Sequence, residues 1–116
     1  MAIKQWVLKK IEKSKSMLER CPSEDIENVL PQVVSLLKNI DRSLRDGLHK
    51  DYYAQYKEII NGIIVALNYL VSGMDMGEQH EIILTSRDLL MFTEKRIAKE
   101  THFKKVPHTH FARHPK

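Results

Sequence analysis

Apolar side chains recur along this chain at steps of three and four residues, the spacing of a helix that buries one face. Ile3, Val7, Ile11, Ser14 and Leu18 set the first such face, widened by Trp6, Leu8 and Met17, and predict a helix over 3–20. Pro22 ends it, because proline disfavours helical geometry in the residue before it. Ile26, Leu30, Val33, Leu37, Ile40 and Leu44 form the most regular repeat and predict a second helix over 24–46. Ser23 is its expected N-cap, followed by Glu24, Asp25 and Glu27 where the helix dipole favours negative charge. Pro31 lies inside this repeat without shifting its phase, which predicts a kink or a near-collinear break. Gly47 is the expected stop.

The third helix, expected over 51–73, organises the rest. Tyr56, Ile60, Ile63, Leu67 and Leu70 give its main face, and residues 59–74 hold no Asp, Glu, Lys or Arg. A helix apolar nearly all round is buried or spans a membrane. Gly62 in its middle costs about 1 kcal/mol relative to Ala, so a close approach by another helix is expected there. The fourth helix, expected over 76–100, opens on a capping-box spacing from Asp75 to Glu78. Ile83, Leu90 and Ile97 recur every seven residues, but Ser86 and Thr93 interrupt the stripe, so this helix closes the third one only thinly. Short links at 21–23, 47–50 and 73–75 make neighbours antiparallel. The expected fold is all-α: an up-down antiparallel four-helix bundle over 1–100, then a flexible basic, His-containing C-terminal tail over 101–116.

A chain of 116 residues forms one domain and needs no disulfide or metal to fold. The ion-free run falls short of the roughly 20 residues a membrane span requires, and it contains Asn61, Asn68 and Ser72. No membrane insertion and no signal peptide are expected. The single Cys21 has no internal partner, which points to a reducing, cytoplasmic setting. Charge is uneven: residues 1–23 carry six basic and two acidic side chains, and residues 101–116 carry four basic and no acidic ones. Both ends are basic around an acidic middle, which suits equally termini that lie on the protein's own acidic helices and two basic patches offered to an acidic partner.

Candidate chemistry is sparse. His108, His110 and His114 offer three nitrogen donors in the tail, but a structural zinc site takes four ligands at regular spacing. Glu78, His80 and Glu81 cluster at the start of the fourth helix without completing a His-Glu-x-x-His pattern. The expectation is no metal, no cofactor and no catalytic residue, hence no enzyme. Lys9, Lys10, Lys13, Lys104, Lys105 and Arg113 are the candidate polyanion contacts of an alternative reading, a basic nucleic-acid-binding accessory protein acting through the first helix and the tail.

The preferred reading uses the third helix. If the fourth side of that helix stays open, Tyr52, Tyr56, Ile63, Leu67, Leu70, Ile83, Leu90 and Ile97 line an apolar groove for an amphipathic client helix, or for a second copy in a homodimer. The protein is then a non-enzymatic interaction module.

One resemblance agrees with that reading. Leu67, Leu70, Met74-Asp75, Glu81-Ile82, Leu89, Phe92, Arg96 and Ile97 resemble the C-terminal half of the flagellin export chaperone family. In place of that family's linker glycine pair this chain has Gln79-His80, and in place of its Leu-Tyr pair Leu89-Leu90. The resemblance implies an antiparallel helical bundle that holds the helical end of a client in apolar grooves, a secretion or flagellar-type chaperone or adaptor.

Overall fold

The structure, a computed structural model, describes residues 2–72 and 76–104, apart from the side chains of Ser23, Met76 and Gly77. It has four long helices: α1 (Ile3–Glu19), α2 (Ile26–Gly47), α3 (Lys50–Val71) and α4 (Met76–Lys99). The proposed capping box at Asp75 lies outside the described residues.

Each helix packs on two neighbours in a ring: α1 on α2, α2 on α3, α3 on α4, and α4 back on α1. Consecutive helices run in opposite directions. Lys4, at the start of α1, donates from Nζ to the Glu100 carbonyl just past α4 at 3.0 Å. Leu18, near the other end of α1, shares a depression with Ile83 near the start of α4. On α2 and α3, Tyr53 donates its hydroxyl to Asp41 at 2.8 Å across the short link that joins them.

The buried stripes follow the repeats in the sequence: Val7, Ile11, Ser14 and Leu18 on α1, Ile26 through Leu44 on α2, and Tyr56, Ile60, Ile63, Leu67 and Leu70 on α3. Their shared burial is the main force holding the bundle, at about 1.5–3 kcal/mol for each large side chain. On α1, Trp6 packs half-buried against this core, and Lys10 Nζ lies 5.5 Å from its indole centroid.

Three local details depart from expectation. The N-cap of α2 is Asp25, not Ser23, because one 3-10 turn over Ser23–Asp25 precedes the helix. α2 runs through Pro31 as one continuous helix, without the near-collinear break, and the ring is on an exposed position. Gly62 faces open space, with nothing within 4 Å of where a Cβ would stand. The glycine that does permit a close approach is Gly47, where an added Cβ would sit 2.9 Å from Ile3 Cγ2 and 3.4 Å from Phe103 Cδ1.

The C-terminal segment also differs. The tail was expected to lack structure from Thr101 onward, yet residues 101–104 are tied down. Phe103 forms an antiparallel bridge with Leu48 and packs against the core, and the Lys104 N–H donates to the Gly47 carbonyl at 2.7 Å. Residues 105–116, with the three candidate histidine ligands, Lys105 and Arg113, lie outside the described residues.

Candidate interaction surfaces

The expected groove is filled by the chain itself. Tyr56, Ile63, Leu67, Leu70, Leu90 and Ile97 are all buried to within 1% of full, and Ile83 is half-buried. Only Tyr52 stands at the surface, and its ring stacks on His102 with centroids 3.7 Å apart. The reason lies in α4. Ser86 and Thr93 are buried, so the polar interruptions in its stripe are core positions. Thr93 Oγ1 donates to the Leu89 carbonyl at 2.8 Å, and Ser14 Oγ on α1 does the same to the Lys10 carbonyl at 2.9 Å. A hydroxyl bonded back to its own helix presents little unmet polarity to the core.

The apolar surface that remains exposed lies one step outward, on the outer side of the α3–α4 seam. Val65 is 67% exposed, Tyr69 58%, Phe92 49% and Leu89 38%. Leu89 also lines a shallow depression of about 210 Å³, together with Gly62, Ala66, Ile82 and Thr85 and with Glu81 at its edge. Val65 follows Gly62 by three residues, Tyr69 follows Ala66 by three and Phe92 follows Leu89 by three, so each flanks the depression along its own helix. Glu58, one turn before Gly62, Glu78, one turn before Ile82, and Glu81 are exposed and form no ion pair among the described residues. The patch is therefore apolar, with three carboxylates at its edge and the Arg96 guanidinium over the Phe92 ring.

A polar cluster at one end of the bundle was not foreseen. Tyr56 donates to Glu100 Oε1 at 2.7 Å, and His102 Nδ1 lies 2.6 Å from Glu100 Oε2, which also accepts the His102 N–H at 3.2 Å. Burial alone would raise the Glu100 pKa, but the hydrogen bonds from Tyr56 and His102 outweigh it and hold the carboxyl below its ordinary range. Burial and the bond to Glu100 push the Tyr56 phenol well above its ordinary range. Arg96 sits over the rings of Tyr56 and Phe92, at 5.7 and 5.6 Å, and its Nη2 donates to Gln55 Oε1. The cluster clasps the C-terminal segment to α3. The signal in the sequence was the seven-residue series Ser86, Thr93, Glu100, which continues the core stripe in polar residues.

Of the candidate polyanion contacts, Lys9 and Lys13 are exposed, Lys10 is half-buried beside Trp6, and Lys104 is exposed at the bundle end where α1 starts. Other α1 cations are engaged within the fold: Lys15 bridges Glu12 and Glu94 at 2.9 and 2.7 Å. Glu78, His80 and Glu81 are exposed at the start of α4 and hold no further ligand, and no group of three His, Cys, Asp or Glu among the described residues is arranged for a metal. Among the described residues no helix is long and apolar enough to cross a membrane. In comparison with known proteins, the chain matches no family model, no curated protein and no solved structure.

Proposed function

We propose that this chain is a non-enzymatic protein-interaction module whose binding face is the outer α3–α4 surface. The exposure of Val65, Tyr69, Leu89 and Phe92 on the two helices that flank one depression carries this reading. Single exposed apolar residues are ordinary, but a continuous patch with a polar rim is a common mark of an interface. At about 1.5–3 kcal/mol for each large side chain removed from water, covering these four gives a partner a substantial gain. A helix laid along the seam suits the shallow, elongated shape, and the carboxylates of Glu58, Glu78 and Glu81 favour one with basic flanks. The resemblance to flagellin export chaperones supports a client of the same kind, held on this outer face and not between the helices. A cytoplasmic setting fits the single thiol of Cys21.

The test compares the wild-type chain with a Val65→Asp/Phe92→Asp variant, both changes on exposed positions. Light scattering first separates a homodimer from a monomer that awaits another chain. Affinity capture from the source cell then reads the partner. The expected result is loss of the dimer, or of a discrete captured helical partner, with unchanged thermal melting. Equal mass and an equal captured set for the two proteins would sink the reading.

A further inference from the structure

The seam between α1 and α2, across the helix ring from the apolar patch, has a different chemistry. Lys13 and Met17 of α1 face Gln32, Ser35, Leu36 and Asn39 of α2 across a groove of about 470 Å³. No carboxylate lines it. The groove extends past Ser16 toward Arg20, where Asp25 is the one acidic lining residue and its Oδ1 already accepts from Asn28 at 2.9 Å.

Helical spacing extends the lining. Lys9 precedes Lys13 by one turn, Trp6 precedes it by seven residues, and Arg42 follows Ser35 by seven. Lys9, Lys13, Arg20 and Arg42 are exposed, and none forms an ion pair among the described residues. Trp6 is half-buried, its indole anchored against the core while Lys10 lies at its face. Two other α1 cations are engaged within the fold: Lys15 pairs with Glu12 and Glu94, and Lys4 donates to the Glu100 backbone carbonyl.

We propose that the α1–α2 groove binds single-stranded nucleic acid. Phosphates run along Lys9, Lys13 and Arg20, base edges meet the amides and hydroxyl of Gln32, Asn39 and Ser35, and one base stacks on Trp6. Cations set along a groove track a phosphate backbone, and an aromatic ring holds a base by stacking. The uncharged hydrogen-bonding floor and the indole favour this ligand over an acidic peptide, which needs only the cations. A bilayer surface calls for projecting apolar side chains on a helix face, whereas this seam is recessed. Lys104 is held at the bundle end where α1 begins, and the sequence after it contains three further basic residues. The proposal does not depend on them, nor on the α3–α4 reading.

Trp6 is the only tryptophan, so its fluorescence reports on the groove directly. The full chain is titrated with a short random-sequence single-stranded DNA at low salt. Quenching of Trp6 emission is expected, with log affinity falling against log salt at a slope of about −2 for three neutralised phosphates. Lys9→Glu/Lys13→Glu, two exposed changes, should weaken binding by on the order of tenfold or more while thermal melting stays put. Polyglutamate and anionic vesicles are run beside the DNA. Absence of binding at low salt, unchanged affinity in the double variant, or equal binding of polyglutamate or vesicles without Trp6 quenching would each overturn the proposal.

Discussion

At the scale of single residues, two glycines have opposite roles. Gly62 sits in mid-helix beside open space, so a methyl group there meets nothing and gains helix propensity. Gly62→Ala should stabilise the chain by about 1 kcal/mol in urea unfolding. Gly47 is wedged between Ile3 and Phe103, and a β-branched neighbour at 2.9 Å has little room to give. Gly47→Ala should destabilise, because overpacking of about 1–3 kcal/mol outweighs the same propensity gain. Titrating side chains follow similar logic. The Glu100 carboxyl is held below its ordinary value of 4.5, so the stability it contributes is present above that value and is lost as pH falls through the lower, folded one. Tyr56→Phe removes one of its donors, at a cost of about 1.5–3 kcal/mol for a hydrogen bond to a charged group, and should shift acid unfolding to higher pH. Tyr53 behaves in the reverse sense. Burial and its bond to Asp41 push the phenol up to about 12 from an ordinary 10.0, so its contribution is whole below 10 and fades as pH rises toward 12. Alkaline melts of wild type against Tyr53→Phe, with tyrosinate absorbance as monitor, would read that loss.

At the scale of elements, α1, α2 and α3 were legible because their stripes are aliphatic at nearly every turn. Ile26 to Leu44 needed no more than a count of steps. α4 was located but its inward face was misjudged. Ser86, Thr93 and Glu100 occupy core positions every seven residues, and read one at a time they look like breaks. What hid them is a property of three-dimensional hydrogen bonding: the Thr93 hydroxyl returns to Leu89, and the Glu100 carboxylate finds Tyr56 and His102 from a distant helix and a later segment. With α4 closing the core, the proposed interaction residues lie outward of Ile63 and Leu90, at Val65 and Phe92. No spacing rule separates a half-covered seam from an open groove. The consequence for α4 is measurable. Thr93→Val keeps the volume and deletes a hydroxyl that serves only its own helix, so stability should change by less than about 1 kcal/mol and in the favourable direction. Ser86→Leu adds bulk to a closed core and should cost about 1–3 kcal/mol. Thermal melting of both variants would distinguish a packed fourth helix from a loosely seated one.

At the scale of the whole molecule, residues 100–104 act as part of the bundle. Phe103, Glu100 and the Lys104 N–H tie α4 to the α2–α3 turn. The reference is a chain that ends after Lys104. Ending it after Lys99 should cost about 2–4 kcal/mol, from the half-buried Phe103 ring and the Tyr56 hydroxyl left without its acceptor. Charge is also arranged at this scale: Glu58, Glu78 and Glu81 lie along the apolar seam, and Lys9, Lys13, Arg20 and Arg42 lie along the opposite one. The contact at Gly47 has one more result. Ile3 opens the first helix and Phe103 follows the last, yet both press on the same backbone atom region. In space the fold is therefore a closed circuit, and the order in which its helices are strung is one choice among several. A permuted chain, joined by a short polar linker from Lys104 to Ala2 and opened between the exposed Arg20 and the half-buried Cys21, should fold to the same four helices with one cooperative melt.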